Sequence, residues 1–317
     1  MAPSATRFSL VTPPGFSFQR TVRSHGWYTL LPFRYDGDGG SLRYTARLGS
    51  MVTTLEIACQ PTGPSRRQTS DAARPRLTVR AGQPLRSEER SEARRLVRRM
   101  LSLDAELEPF YDLTAREPAL AWAGPAGAGR FLRGACVFED AVKLLCTTNC
   151  NWRLTRSMVE RLVTALGEAA PDGRRAFPTA RAMAAQPEGF YRHTVKAGYR
   201  APFLKELAER VAAGELELEA WEGGATDSAA LKRQALGVKG MGPYAAEGLL
   251  RLLGHYDGLA IDRWCLAKFQ RLYGTKTLPT PARLRRRYRQ FGAWQGLALW
   301  LDLTRDWHAE DQPPSWP

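Results

Sequence analysis

Asp262 is the acid in this sequence whose position best suits chemistry. It lies in "GLAIDRWCLAKF", directly before a segment with the composition of a helix. A carboxylate at that point is expected to be the helix N-cap, accepting backbone N–H bonds at the positive end of the helix dipole. The same fixed charge can stabilise a cationic transition state or orient a water molecule. Capping and catalysis are compatible, and spacing alone leaves both open.

The segment before this acid predicts two helices joined by a tight turn. In "LGVKGMGPYAAEGLL", the turn "GVKGMG" follows "SAALKRQAL" and precedes a second helical run. Gly240 and Gly242 are expected to allow positive φ and to free the turn of side chains, and Pro243 is tolerated at a first helical position. Exposed N–H groups at such a helix N-terminus bind phosphate, and Lys239 is expected to join them. The alternative is an ordinary helical corner whose glycines serve only packing.

The charge of the chain favours a polyanionic partner. The 317 residues include 46 Lys and Arg against 32 Asp and Glu, a formal net charge of +14. DNA, RNA and an anionic membrane surface all fit this excess, while a solvated basic surface is the plain alternative. No apolar run reaches the length of a membrane span, so we expect no membrane partner.

Cysteine usage argues against disulfide bonds and metal sites. The five cysteines form no CxxC pair, and the chain has only four histidines. An odd cysteine number without paired spacing does not suggest a disulfide framework, and zinc or iron–sulfur sites need clustered ligands. We therefore expect reduced thiols, no metal site and a cytoplasmic location, in agreement with an N-terminus that lacks a leader pattern.

The pattern along the chain predicts an α+β fold in two parts. Residues 1–83 are expected to form a small β-rich N-terminal domain, with an exposed Pro/Gly/Ser-rich loop at 61–76. Its strand candidates are "GWYTLLPFRYD", "SLRYTARL", "MVTTLEIACQ" and "LTVRAG". Residues 84–317 are expected to be all-α, because apolar residues there recur at helical spacing and several segments stop at a glycine.

The segment "LGVKGMGPYAAEGLL", together with "AIDRW", resembles the helix-hairpin-helix, Gly-Pro, Asp motif of the DNA glycosylase superfamily. Further segments are similar to its 3-methyladenine and 8-oxoguanine glycosylase branch: "FEDAVKLLCTTNCNW", "MVERL", "FPTARAMAA", "AGYRAPFLKELA" and "FGAWQGLALWL". The resemblance covers about residues 20–307, and the C-terminal four-cysteine cluster of endonuclease III is absent from the sequence. It implies a helix-hairpin-helix core of two lobes with the active-site cleft between them.

The resemblance assigns chemistry to two residues. Asp262 matches the invariant aspartate, which implies that its carboxylate stabilises the oxocarbenium-like sugar as an N-glycosidic bond breaks. Tyr244 stands where bifunctional members have the lysine that attacks the sugar, and tyrosine cannot form a Schiff base. We predict a monofunctional, water-using DNA N-glycosylase of base excision repair for an alkylated or oxidised purine. The alternatives are a bifunctional 8-oxoguanine-type glycosylase/AP lyase, with Lys239 as the best remaining nucleophile, and a non-catalytic DNA-damage-binding module.

The resemblance also implies how the protein holds its partner, a double-stranded DNA with a damaged base that is flipped out of the helix. Asn149 and Arg200 match side chains of the 8-oxoguanine glycosylases that read the orphaned opposite base. A further arginine of that family aligns with Leu154, which departs from the pattern and puts a preference for opposite cytosine in doubt. Arg153, beside Leu154, is a further candidate for DNA binding.

Aromatic residues near these motifs are candidates for the base pocket. Trp152 and Trp264, with Tyr244, are placed to stack on a flipped base, although aromatic residues more often belong to a core. The arginine-rich runs "RRLVRRM" and "RLRRRYRQF" either follow the DNA backbone or form solvated faces. We expect a nucleoid-associated, bacterial-type monomer with no cofactor beyond, at most, a structural monovalent cation at the hairpin.

Overall fold

The computed structural model describes residues 5–60, 75–223 and 227–309. They combine a five-stranded antiparallel sheet in the N-terminal region with the helices that follow it, which confirms the mixed α and β composition expected from the sequence. Most of the predicted loop at 61–76 lies outside the described residues. None of the helices in these ranges is long and apolar enough to cross a membrane.

The sheet comprises β1 (Arg7–Val11), β2 (Phe33–Asp36), β3 (Ser41–Leu48), β4 (Met51–Gln60) and β5 (Arg76–Ala81). Its strand order is β1-β5-β4-β3-β2, and every neighbouring pair is antiparallel. Alternation decides which side chains face the core, because successive residues of a strand point to opposite faces. In β5, Leu77, Val79 and Ala81 are buried, and the arginines at 76 and 80 are exposed.

The strand candidate "GWYTLLPFRYD" is only partly correct. Its last four residues form β2, whereas Gly26–Thr29 form a 3₁₀ turn. Trp27 and Tyr28 are both buried, although they are consecutive in sequence. A strand with one buried face cannot bury two successive side chains, so tertiary packing overrides the local preference for strand.

The helices of the described residues are α1 (Phe18–Val22), α2 (Ser87–Met100), α3 (Glu108–Thr114), α4 (Ala123–Ala126), α5 (Val137–Thr147), α6 (Trp152–Leu166), α7 (Ala180–Ala184), α8 (Glu188–Phe190), α9 (Ala201–Ala212), α10 (Ser228–Leu236), α11 (Pro243–Leu252), α12 (Arg263–Tyr273), α13 (Pro281–Tyr288) and α14 (Gln295–Ala309). Their ends follow local chemistry. Helix α12 begins after the N-cap Asp262 and ends at Gly274, whose φ of 60° is left-handed, as the sequence predicts.

Helix α5 lies in the centre of the molecule and connects the sheet to the other helices. Every residue from Val137 to Cys146 is buried, including Glu139 and Lys143. Lys143 Nζ donates to Glu139 Oε1 at 2.5 Å, and the hydroxyl of Tyr44, on β3, donates to Glu139 Oε2 at 2.6 Å. Breaking a buried ion pair of this kind costs about 3–5 kcal/mol. The hydrogen bond from Tyr44 to Glu139 joins β3 to α5. One continuous hydrophobic core extends from Phe8 in the sheet to Leu303 in α14.

Candidate active site

An aromatic cavity of about 370 Å³ opens where segment 25–27, the α5–α6 corner and helices α11, α12 and α14 meet. Its volume is within the range of small-molecule sites. The cavity is lined by His25, Gly26, Trp27, Phe131, Leu144, Thr147, Cys150, Asn151, Trp152, Thr155, Tyr244, Gly248, Arg251, Leu252, Asp262, Trp264 and Trp300. Four of the predicted site residues are therefore brought together here: Asp262, Tyr244, Trp152 and Trp264.

Asp262 is fixed at the cavity wall by its own helix. It is the N-cap of α12, with extended backbone angles, and its Oδ1 accepts a hydrogen bond from Cys265 N at 2.8 Å. The thiol of Cys265 also lies beside this carboxylate. The backbone bond holds the side chain in place, and the carboxylate lines the cavity, where it can meet a sugar or a water molecule. The predicted cap and the predicted catalytic position coincide.

Tyr244 lies in the first turn of α11 and is half-buried. Burial raises the pKa of its phenol well above the usual value, and the nearby Asp262 carboxylate raises it further. The phenol therefore stays protonated at neutral pH. It can form a wall of the cavity or donate a hydrogen bond, but it cannot act as a phenolate nucleophile.

Trp152 is held against segment 25–29. Its ring stacks on Trp27 with the centroids 6.4 Å apart and the planes 19° from parallel, and its Nε1 donates to Thr29 Oγ1 at 3.0 Å. A Cβ at Gly26 would lie 2.1 Å from the Trp152 ring, so only glycine admits the ring this close. Trp27 is itself fixed by the hydrogen bond from its Nε1 to Asp140 Oδ1 at 2.8 Å. This side of the cavity is preorganised.

A second pair of tryptophans also lines the cavity: Trp264 and Trp300, whose ring centroids lie 6.0 Å apart. Trp264 is half-buried and also packs on Trp307, at 5.6 Å. A cavity lined by several aromatic rings and one acid suits a flat ligand that stacks and carries a polar group at its edge.

Several lining residues were not found by sequence reasoning: His25, Phe131, Arg251 and Trp300. His25, Phe131 and Trp300 lie on separate segments, and no local pattern indicates that they meet. A signal did exist for Arg251, because Tyr244, Gly248 and Arg251 have the i, i+4, i+7 spacing of one helix face. A cation on the apolar face of a helix is unusual and points towards a site.

His25 is buried, and burial lowers its pKa to about 3. Its imidazole is therefore neutral at physiological pH. Its Nε2 lies 2.6 Å from the carbonyl oxygen of Leu132, which can only accept, so Nε2 carries the proton and donates. The ring also packs edge-on against Trp27, with centroids 4.7 Å apart. His25 thus supports the aromatic wall rather than supplying a charge.

The hairpin has the predicted helix–turn–helix form, but its two glycines differ. Gly240 has a φ of +84°, and a Cβ there would lie 2.4 Å from the ring of Phe203, on α9. Gly242 is the N-cap of α11 with a φ of −73°, and no atom would lie within 4 Å of a Cβ. The expectation of positive φ is therefore wrong for Gly242. As the N-cap, Gly242 instead leaves the N-terminus of α11 uncovered, so that an anion can approach it.

Lys239 lies on the outer side of this turn. Its side chain is exposed, and its Nζ is 3.1 Å from Glu206 Oε2. It does not line the cavity. An exposed ion pair of this kind contributes little to stability, so the lysine is free to exchange Glu206 for a phosphate.

The loop between α5 and α6 carries the residues predicted to meet the DNA stack. Asn149 is exposed with a φ of +46°, a left-handed backbone, and its Nδ2 donates to the hydroxyl of Tyr199 at 3.2 Å. Tyr199 is 48% exposed and was not predicted. Arg153 and Leu154, in the first turn of α6, are also exposed.

Arg200 is buried beneath this loop. Its guanidinium donates to the Thr148 carbonyl, and Nε donates to Thr148 Oγ1 at 3.2 Å. The guanidinium carbon lies 4.5 Å from the centre of the Tyr199 ring. In this structure Arg200 positions Thr148 and Tyr199, and its contact with DNA stays a prediction.

A second cavity, of about 740 Å³, is larger but has a different character. It lies against α2 and shares no lining residue with the aromatic cavity. Several charges of its wall pair with one another: Arg99 Nε lies 2.6 Å and Arg133 Nη1 3.1 Å from the Glu222 carboxylate. A cleft of mutually paired charges does not suit an apolar, stacking ligand, so the smaller cavity is the better site.

The described residues do not include a set of side chains suited to bind a metal ion. No group of three or more His, Cys, Asp and Glu residues among them could hold a metal ion, and the five cysteines are free thiols. The monovalent cation expected at the hairpin stays a prediction.

Comparison of the sequence with protein-family models and with curated proteins finds no match. The structure, in contrast, matches solved structures over nearly its full length. One is a 3-methyladenine DNA-glycosylase from Archaeoglobus fulgidus, with a TM-score of 0.72 and 17% identity over 94% of this chain and 98% of that one. Another is an 8-oxoguanine glycosylase/lyase from Clostridium acetobutylicum in complex with double-stranded DNA, with a TM-score of 0.67 and 15% identity over 96% and 98%.

A third is MBOgg1 in complex with a low-affinity DNA ligand, with a TM-score of 0.69 and 17% identity over 98% of this chain and 100% of that one. At such low identity these likenesses show the fold alone: this chain has the same fold as these solved structures of DNA glycosylases.

Proposed function

We propose that this protein is a DNA glycosylase that flips a damaged purine into the aromatic cavity and hydrolyses its N-glycosidic bond. The observation that carries the proposal is the fixed carboxylate of Asp262 on the wall of a cavity that is otherwise lined largely by aromatic rings. A flipped base stacks between such rings, and its deoxyribose then lies beside the acid. The reaction needs negative charge at that point, because positive charge develops on the sugar as the base leaves.

The proposed reaction uses water and forms no covalent intermediate. No lysine is among the described residues that line the cavity, and Tyr244 occupies the first turn of α11 as a protonated phenol. Lys239 lies on the outer side of the hairpin beside Glu206. A Schiff base needs an amine that reaches the sugar carbon, whereas hydrolysis needs only a water that Asp262 orients.

DNA binding is proposed to use the hairpin and the α5–α6 loop. The uncovered N-terminus of α11 at Gly242 and the exposed Lys239 contact a phosphate. Asn149 and Tyr199 form an exposed polar and aromatic tip that fills the gap left by the flipped base. The formal net charge of +14 brings the protein to DNA and makes binding weaken steeply with salt.

The test is a panel of duplexes carrying 8-oxoguanine, 3-methyladenine, 1,N6-ethenoadenine, hypoxanthine or uracil. We expect free base from at least one purine lesion and strand breaks only after alkali. Borohydride present during the reaction should trap no protein–DNA adduct. A strong adduct that disappears in Lys239→Ala would establish the bifunctional alternative. Tight binding to abasic DNA with no release from any duplex would favour a damage-binding module.

A further inference from the structure

Arg251 brings into the base cavity a positive charge that the proposed reaction does not use. It lies on α11, two helical turns after Tyr244, and lines the cavity beside Gly248. Its guanidinium carbon lies 4.3 Å from the centre of the Trp300 ring and 5.3 Å from that of Phe131. Both rings line the cavity as well. The charged group is therefore part of the wall that a flipped base would meet.

The guanidinium has aromatic neighbours, and the Asp262 carboxylate acts on it through the cavity without forming an ion pair. Its Nε is buried without a hydrogen-bond partner, and among the described residues no carboxylate forms an ion pair with it. Burial lowers the pKa of Arg251, yet an arginine remains charged. A charge that is removed from water and left unpaired is costly, so a ligand that supplies acceptors would relieve it.

We propose that Arg251 selects the base: the cavity takes a neutral purine lesion whose carbonyl oxygen or ring nitrogen accepts its hydrogen bonds, and rejects a cationic N-alkylated purine. This inference rests on the proposed function and names the substrate class of the same site. Arginine pairs in this way with the carbonyl and ring nitrogen at the edge of guanine.

The aromatic walls alone would suggest the opposite choice. A cationic base gains cation–π attraction from the tryptophan faces, as quaternary ammonium ligands do. Here the faces of Trp300 and Phe131 already meet the Arg251 guanidinium. A second cation in the same poorly solvated space is repelled, whereas a neutral purine stacks equally well and supplies acceptors. The cavity is therefore expected to select between lesions by their charge as well as by their shape.

The test compares binding of uncleavable duplexes that carry 2′-fluoroarabino analogues of 8-oxoguanine, hypoxanthine and 7-methylguanine. 8-Oxoguanine and 7-methylguanine share the carbonyl at C6 and differ in charge. We expect the wild type to bind both neutral lesions at least 30-fold more tightly than 7-methylguanine. Arg251→Gln, which removes the charge and keeps donors, should reduce that ratio at least tenfold. Arg251→Lys, which keeps the charge, should retain the preference.

Circular dichroism checks the folding of both variants. If Arg251→Gln does not fold, the ratio of wild-type affinities for the neutral and cationic lesions tests the inference. Equal binding of all three lesions by the wild type, or a folded Arg251→Gln with an unchanged ratio, would overturn the inference. Excision of the natural lesions is measured in parallel. Binding selectivity that depends on Arg251, without release of any base, would leave this inference standing and defeat the proposed function.

Discussion

The side chain at position 244, close to the Asp262 carboxylate, determines whether Schiff-base chemistry is possible at this site. The carboxylate is fixed by a backbone N–H bond, and its field adds to the effect of burial in keeping the Tyr244 phenol protonated. An amine at position 244 would face the same carboxylate in the same half-buried setting. Burial favours its neutral, nucleophilic form, whereas the carboxylate favours the charged form and can accept the proton that the amine must lose before it attacks a sugar carbon.

We therefore expect Tyr244→Lys to acquire Schiff-base chemistry. Borohydride should trap this variant on a duplex that contains an abasic site, at least tenfold more than the wild type. Tyr244→Phe, which removes only the hydroxyl, is the matched control and should give no adduct. Equal trapping of wild type and Tyr244→Lys would mean that another amine already reaches the sugar.

Sequence reasoning at the residue scale succeeds where the chemistry is local. Asp262 and Tyr244 belong to one motif, and a helix cap is predictable from its neighbours. Arg251 was missed, although its spacing from Tyr244 placed it on the same helix face. His25 and Trp300 could not have been found, because they meet only after chain segments far apart in sequence have packed.

The hairpin shows that glycines in one motif meet different physical requirements. Gly240 needs both a left-handed backbone and the absence of a Cβ, since Phe203 fills the space beside it. Gly242 needs neither for folding, and its Cβ position is open towards solvent. The turn between α10 and α11 is predictable from its glycines, whereas the neighbour that demands Gly240 is not.

Gly240→Ala should destabilise the protein more than an alanine at another left-handed glycine. Gly214 has a φ of +76° with open space around it, so Gly214→Ala measures the backbone cost alone, about 1–2 kcal/mol. Gly240→Ala adds the contact with the Phe203 ring, and urea denaturation should show a larger loss of unfolding free energy. The combination Gly240→Ala/Phe203→Ala should recover part of the excess. Equal losses for the two single variants would show that Phe203 moves away without cost.

Elements whose apolar residues recur with a simple period were predictable from the sequence, whereas elements whose conformation depends on tertiary contacts were not. Strands β3 and β4 and helices α10 and α12 lie where the sequence predicts them. Gly26–Thr29 was assigned to a strand because its residues have strand preference, yet Trp27 turns inward to donate to Asp140 on α5. That partner is 113 residues away, beyond the reach of any local pattern.

At the scale of the whole molecule, the sheet and the helices share one core, and the cavity lies beside it. Segment 25–29 connects the sheet to the cavity, since it precedes β2 and supplies one aromatic wall. The N-terminal region therefore helps to form the site rather than only extending the chain. Substitutions in this segment are therefore expected to change both the stability of the fold and the shape of the cavity.

Buried His25 makes stability depend on pH. Its pKa is about 3 in the folded protein, because burial disfavours the charged ring, and about 6.5 in an unfolded chain. Between these values the unfolded state binds more protons, so the unfolding free energy falls as pH falls, by up to about 1.4 kcal/mol per pH unit. His308, with a pKa lowered to about 4, acts in the same direction. Well above pH 6.5 neither histidine contributes a slope, because both are then neutral in the folded and in the unfolded state.

Urea denaturation between pH 7 and 4.5 measures this effect. We expect His25→Gln, which keeps a donor for the Leu132 carbonyl, to be less stable at pH 7 yet to show a flatter profile. His193→Gln, at an exposed position, is the control and should keep the wild-type slope. A slope that is unchanged in His25→Gln would show that other groups cause the acid sensitivity.

In the proposed reaction, the fixed carboxylate of Asp262 stabilises the positive charge that develops on the sugar as the glycosidic bond breaks. The most direct measurement is the single-turnover rate of base release by Asp262→Asn and by the wild type, on the lesion that the wild type removes. Asparagine is an equally good N-cap, so α12 and the fold should be retained. We expect release at least about 100-fold slower, with affinity for abasic DNA within threefold of the wild type. Release by Asp262→Asn at the wild-type rate would contradict the account.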